Sequence, residues 1–68
     1  MKKLIYKVIK VNKDGYEQVI FAGENEKEAR EIHKGYFLRD GESIDLAVTW
    51  TRDGRQVGST TLIETRLS

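Results

Sequence analysis

A tight β-hairpin is marked by the dipeptide Asp53-Gly54 in the C-terminal third of the chain. A two-residue type I′ turn needs positive φ at both central positions, and Asp-Gly meets this requirement well. If these residues form the turn, residues 43–67 fold into a ribbon in which alternate side chains share one side. The facing pairs on that side are Trp50 with Val57, Val48 with Ser59, Leu46 with Thr61, and Ile44 with Ile63. This side is mostly apolar, whereas the other side is mostly polar. A helix can pack on the apolar side, so Trp50 is interpreted as a core residue.

A second hairpin is predicted nearer the N-terminus, where residues 3–11 form a strand rich in β-branched and aromatic side chains. Residues 12–15 form the turn, with Gly15 supplying positive φ, and residues 16–22 form the returning strand. Two registers are open at this point, and they place different residues on each face. A two-residue Asp14-Gly15 turn pairs Val8 with Phe21 and Ile9 with Ile20, and a three-residue loop with a bulge pairs Val8 with Ile20 and Ile9 with Val19.

One helix is predicted between the two hairpins. Asn25 is a suitable N-cap, and Glu28 lies three residues later, as in a capping box. Apolar or aromatic residues and one histidine then recur at helical spacing on one face: Ala29, Ile32, His33, Tyr36 and Phe37. We expect the helix to end near Leu38; the alternative is an earlier end at Gly35, which would leave residues 36–38 extended.

These elements predict an α+β chain of ββαββ order, with a four-stranded antiparallel sheet and one helix packed on one face. The helix connects the second strand to the third, so these strands run parallel and should not be neighbours. Placing the first strand between them gives the order 2-1-3-4, and the order 1-2-4-3 is also antiparallel throughout. We prefer 2-1-3-4 because the first strand is apolar on both sides, which suits a central position.

Length and composition limit the class of protein further. The 68 residues are expected to form a single domain, 1–68. A domain of this size buries only about 60% of the surface of its unfolded chain, so its stability is marginal. Cysteine is absent, which excludes disulfides and thiolate metal sites and fits a reducing compartment. Lys7 and Lys10 interrupt the apolar stretch that a signal peptide needs, so we expect a cytoplasmic protein with no membrane association.

The sequence contains no catalytic or cofactor-binding motif. His33 is the single histidine, and no cysteine or nucleophile-elbow serine accompanies it. Glu28, Glu31 and His33 do not share one helix face, so they do not match metal-ligand spacing. The six glycines are isolated and form no phosphate-binding loop. We expect no enzymatic activity, no catalytic residue, no metal and no cofactor, and we interpret His33 as a helix side chain at the edge of the apolar face.

The first hairpin carries more apolar side chains than one helix can cover. Leu4, Tyr6 and Val8 point one way along the first strand, whereas Ile5, Ile9 and Val11 point the other way. Contiguous exposed apolar surface on a small protein usually marks an interface. We expect a homodimer that binds an unidentified partner protein, and the predicted interface residues are Ile5, Ile9, Val11 and Tyr16. A third possibility is a dimer whose groove sequesters a small anionic ligand.

Nucleic-acid binding is the alternative prediction. The net charge of +1 is too balanced for a dedicated nucleic-acid binder. The first strand and its turn are nevertheless rich in lysine, and two arginines flank the second turn. The candidate residues are Lys3, Lys7, Lys10, Lys13, Arg52 and Arg55. Strand alternation divides the lysines between the two faces, which weakens them as one binding stripe.

The general style of the chain resembles that of short proteins of phages, prophages and mobile elements. The resemblance consists of two Asp-Gly turns, Lys13-Asp14-Gly15 and Arg52-Asp53-Gly54, and a helix that starts with Glu26-Lys27-Glu28-Ala29. It implies an accessory protein that binds and modulates a host factor, in some cases as an anti-defence inhibitor. It assigns no functional residue.

Overall fold

A computed structural model describes residues 2–68. The elements follow the predicted ββαββ order: β1 (Lys2–Val11), β2 (Glu17–Gly23), α1 (Glu26–Gly35), β3 (Ser43–Arg52) and β4 (Arg55–Leu67). The four strands form one antiparallel sheet in the order β2-β1-β3-β4, which confirms the preferred topology. Among the described residues, no helix has both the length and the apolarity needed to cross a bilayer.

The first hairpin combines parts of both predicted registers. Val8 pairs with Phe21, as in the two-residue turn, whereas Ile9 pairs with Val19, as in the bulged alternative. The extra residue is Ile20, which lies between these two pairs and packs against the core. Asn12 holds the turn, because its side-chain oxygen accepts hydrogen bonds from the backbone N–H groups of Asp14 and Tyr16, both at 2.9 Å. The bulge therefore sits within the strand and not at the turn.

The helix begins as predicted but ends earlier than expected. Asn25 is the N-cap, and its side-chain oxygen accepts the backbone N–H of Glu28 at 3.0 Å. The helix ends at Gly35, which confirms the alternative prediction, and the preferred end near Leu38 was wrong. Tyr36 already has extended backbone angles, and residues 36–38 alternate: Tyr36 and Leu38 pack against the core, whereas Phe37 is exposed. An extended segment buries two of these three side chains while crossing back towards β3.

The second hairpin has the predicted turn but a different register. Asp53 and Gly54 both have positive φ, 53° and 82°, and Trp50 pairs with Val57 as expected. Two irregularities in the β3–β4 pairing then displace the remaining pairs, and Gly58 supplies the positive φ of 80° within the first of them. The predicted partners Ser59, Thr61 and Ile63 were wrong: Val48 pairs with Thr61, Leu46 with Glu64 and Ile44 with Arg66.

The core lies between the helix and one side of the sheet. Its fully buried residues are Val8 from β1, Ala29 from the helix, and Ile44 and Leu46 from β3. Since Val8 pairs with Leu46, these strands direct their even-numbered side chains to the helix. Their odd-numbered side chains form the opposite side, which we call the open face.

Candidate functional site: the open face of the sheet

The open face is the side of the sheet that the helix does not cover. Three of the four predicted interface residues, Ile5, Ile9 and Val11, lie on it because they alternate with the core residue Val8 along β1. All three are partly buried. The fourth, Tyr16, is 70% exposed and lies just before β2, beside the pairing of Val11 with Glu17. The structure thus places Ile5, Ile9 and Val11 on one surface, whereas Tyr16 lies in the turn segment before β2.

Sequence reasoning did not assign three further apolar side chains to this interface. Val19 pairs with Ile9, Leu62 pairs with Ala47, and Leu67 pairs with Ser43, so all three point to the open face. They are 57%, 58% and 74% exposed, respectively. Leu62 was recognisable as an apolar residue on the otherwise polar side of the second hairpin, whereas Val19 reaches this face because the three-residue first turn pairs it with Ile9. Together with Ile5, Ile9 and Val11, they make the open face more apolar than the predicted interface residues alone indicated.

Small side chains occupy the middle of the open face. Ala47 and Thr49 lie on the central strand β3 and are only 4% and 2% exposed. Their neighbours across the sheet include the longer side chains Ile5 and Leu62. Neighbouring side chains therefore cover these two small residues, and the taller side chains around them form the accessible surface of the open face.

Polar side chains divide the apolar surface of the open face. Asp45 lies beside Ile9, and its carboxylate accepts a hydrogen bond of 2.8 Å from the Thr65 hydroxyl. Lys7 lies one residue pair further along, next to Ala47. Opposite charges within an apolar face can orient a partner without supplying most of the affinity.

The Thr49 hydroxyl is the one buried side-chain polar atom that has no hydrogen-bond partner among the described residues. A buried unsatisfied hydroxyl costs about 1–3 kcal/mol. Replacing Thr49 with valine removes this hydroxyl and keeps the branched shape, so we expect the free energy of unfolding to rise by about 1 kcal/mol. Urea denaturation of dilute protein measures the change. The Thr51→Val variant is the control because the Thr51 hydroxyl already donates to the Lys3 carbonyl; equal gains in both variants would contradict the explanation.

The predicted nucleic-acid residues do not form one surface. Lys3 and Lys7 belong to the open face, whereas Lys10 lies on the helix side, where its ammonium is 3.2 Å from the Glu42 carboxylate and 5.9 Å from the centre of the Tyr36 ring. Lys13 lies in the first turn. Arg52 and Arg55 pair with each other at the opposite end of the sheet. The structure therefore brings together only the two arginines.

The Glu42 carboxylate is held ionised by its neighbours. The backbone N–H of Arg39 donates to it at 2.8 Å, and this bond, followed by the Lys10 ammonium, lowers the Glu42 pKa below its ordinary value of 4.5. A lowered native pKa stabilises the fold above the unfolded-state value of 4.5, and this contribution disappears as pH falls through the native pKa.

Replacement of Glu42 by glutamine should therefore lower stability near neutral pH. The difference from the unchanged protein should shrink as the pH falls below 4.5. Urea midpoints measured across this pH range test the prediction. Glu31→Gln makes the same charge change on the exposed side of the helix and should have a smaller effect. A difference that grows on acidification would show that the sign of the pKa change is wrong.

His33 is more buried than its predicted position at the edge of the apolar face suggested. It is 3% exposed, and its Nε2–H donates to the Ile44 carbonyl oxygen at 2.9 Å. Its other ring nitrogen lies 3.9 Å from the Glu64 carboxylate. These contacts join the helix to β3 and β4. Across the described residues, no group of three or more histidine, cysteine or acidic side chains is placed to hold a metal ion.

No family model matches this chain, and neither does any curated protein or solved structure to which it was compared.

Proposed function

We propose that this chain is a non-enzymatic binding protein, that two copies associate through their open faces, and that the homodimer binds a partner protein. The observation that carries the proposal is the concentration of apolar side chains on the side of the sheet that lacks a helix. Val19, Leu62 and Leu67 are each more than half exposed there, and Ile5 and Ile9 lie between them. Apolar surface of this kind on a small protein is the usual mark of an interface.

The open face is large enough for a stable dimer. The molecule measures 40 × 23 Å along its two longer axes, so its broad side covers roughly 900 Å². A standard stable interface buries about 800 Å² on each partner. Two sheets that pack face to face lie about 10 Å apart, with side chains from both inner faces interdigitating.

Dimerisation would also add buried apolar surface to a chain whose own core is small. Within residues 2–68, four residues form the fully buried hydrophobic cluster. A protein of this size gains little net stability from its own core, and a second copy would cover the open face in the same way that the helix covers the other side. The partner protein would then bind the outer surfaces of the dimer. A host factor, as implied by the resemblance to short phage proteins, is the partner class that we propose.

Light scattering after size-exclusion chromatography tests the dimer directly. The unchanged protein should have twice the 7.8 kDa mass of one chain. Leu62→Lys places a charge within the proposed interface and should give a monomer, because an unpaired buried charge is strongly unfavourable. Phe37→Lys is the matched control because Phe37 is 80% exposed and lies outside the sheet; it should remain dimeric.

A monomer mass for the unchanged protein at its highest soluble concentration would reject the dimer. Partner binding is tested separately by affinity capture from a host lysate. A specific partner should be retained by the unchanged protein and the Phe37→Lys variant in equal amounts. If the same protein is captured by the unfolded chain, the interaction does not depend on this fold.

A further inference from the structure

The sheet continues beyond the helix at the end formed by the second turn. The Tyr6 hydroxyl donates to the carboxylate of Glu26, the first residue of the helix, at 3.2 Å. The next residue pairs on this side of the sheet join Leu4 to Trp50 and Trp50 to Val57. Trp50 is 47% exposed there, so the interpretation of Trp50 as a core residue was wrong. Its indole lies on the helix side of the sheet, past the point that the helix reaches.

Three cationic residues form the outermost row of the same surface. Lys2 pairs with Arg52, and Arg52 pairs with Arg55, so the three lie side by side across β1, β3 and β4. All three are exposed, and none of them forms an ion pair within residues 2–68. Like charges directly opposite each other destabilise a sheet. Their alignment without paired carboxylates therefore calls for an explanation outside the fold, and an anionic ligand supplies one.

The position of Trp50 identifies the class of anion. Trp50 precedes Arg52 by two residues on the same strand, so the indole and the guanidinium share one face. Single-stranded nucleic acids bind proteins through cations that contact the phosphates and aromatic rings on which bases stack. An acidic peptide would contact the three cations but would need an additional apolar or aromatic side chain at matching spacing to cover the exposed indole. Aromatic and cationic groups together match a strand that carries both bases and phosphates.

We propose that the Trp50 patch, formed by Lys2, Trp50, Arg52 and Arg55, binds single-stranded nucleic acid, with a base stacked on the indole and the adjoining phosphates on the three cations. The patch lies on the side of the sheet opposite the open face. Binding at the patch and association of two copies are therefore independent, and a dimer would present two such patches.

Trp50 is the single tryptophan of the chain, so it reports directly on stacking. Titration with oligothymidylate at low salt should quench its fluorescence. Affinity should fall with rising salt with a logarithmic slope of about −2, since each of three phosphate contacts on a single strand contributes about −0.7. Polyphosphate, which has charge but no bases, should compete for the patch without quenching the indole.

Variants distinguish the contribution of the cationic side chains to binding from that of the Trp50 indole. Arg52→Gln combined with Arg55→Gln should weaken binding at least tenfold and reduce the magnitude of the salt slope by about 1.4. Lys27→Gln combined with Lys34→Gln removes the same charge from exposed helix positions and should leave affinity within twofold. Trp50→Leu, measured by anisotropy of a labelled oligonucleotide, should weaken binding by roughly five- to a hundredfold. Far-UV circular dichroism verifies that each variant is folded.

The proposal is overturned if the oligonucleotide neither binds nor quenches at low salt. It is also overturned if the Lys27→Gln, Lys34→Gln control weakens binding as much as the double arginine variant, because net charge alone would then explain the affinity. Stronger binding to polyglutamate or to phosphatidylserine vesicles than to the oligonucleotide would reassign the patch to an acidic protein or a membrane. The Leu62→Lys variant should still quench, so failure of the dimer and failure of this proposal are distinguishable.

Discussion

Truncating Leu46 to alanine is expected to lower the free energy of unfolding by about 3 kcal/mol, within the range of about 2–5 kcal/mol for buried leucines. Leu46 is fully buried and contacts the cluster of Val8, Ala29 and Ile44. A chain of this length has a total stability of roughly 3–10 kcal/mol. Loss of this one side chain should therefore remove between about a third and all of the stability of the fold.

Urea denaturation followed by circular dichroism measures the effect of the Leu46 truncation. Leu67→Ala is the control because it removes the same atoms from a side chain that is 74% exposed. Its effect on dilute protein should be below about 0.5 kcal/mol, as for most surface substitutions. Similar losses in the two variants would mean that the helix and sheet do not enclose the core described here.

The second large effect is expected at Arg66. Its guanidinium donates to the carbonyl oxygens of His33 and Tyr36, where the helix ends. These carbonyls lie at the negative end of the helix dipole and have no partner within the helix. Arg66→Met should lower the free energy of unfolding by about 2 kcal/mol, because hydrogen bonds from charged groups contribute about 1.5–3 kcal/mol and Arg66 is only partly buried.

Arg55→Met is the matched control for Arg66. It makes the same substitution on the same strand, at an exposed residue beside the turn. The Arg66 variant should also lose helical signal at 222 nm before the sheet unfolds, because the last helical turn is released first. If both arginine variants have the same urea midpoint, the contacts of Arg66 with the helix contribute nothing to stability.

The architecture was predictable because its signals are local. The turn at Asp53-Gly54, the cap at Asn25 and the two-sided apolar pattern of β1 are each visible in short stretches of sequence. They specify how many elements form and which strand lies in the centre. The strand order follows from them through the geometry of crossover connections.

Register and helix length were not predictable because they depend on tertiary contacts. Counting residue pairs outward from the turn assumed a regular ribbon and placed Ile63 opposite Ile44. The irregularities in the β3–β4 pairing instead place Arg66 there, where it reaches the end of the helix. The helix in turn stops at Gly35, and Tyr36 and Leu38 then pack against the core in extended form. Gly35 marked one possible helix end in the sequence, but the choice between the two ends depends on these core contacts.

The residues of the candidate surfaces likewise include some that local sequence signals predict and some that only tertiary pairing brings together. Alternation along β1 was enough to group Ile5, Ile9 and Val11 on one side, whereas Val19 joins them only in the register of the three-residue turn, which pairs it with Ile9. Arg52 and Arg55 were predictable as neighbours from the turn. The addition of Lys2 to their row required the pairing of β1 with β3, which connects residues 50 positions apart.

The irregular stretch at Gly58 has a consequence for how copies of this protein meet. β4 is 13 residues long and is an edge strand of the sheet. The unpaired backbone N–H and C=O groups of an edge strand can form hydrogen bonds with strands of other copies, which leads to aggregation. A bulge bends the strand that contains it and increases its twist. A bent strand pairs poorly with the regular, in-register strands of an amyloid fibril. Local distortion thus disfavours edge-to-edge polymerisation along β4.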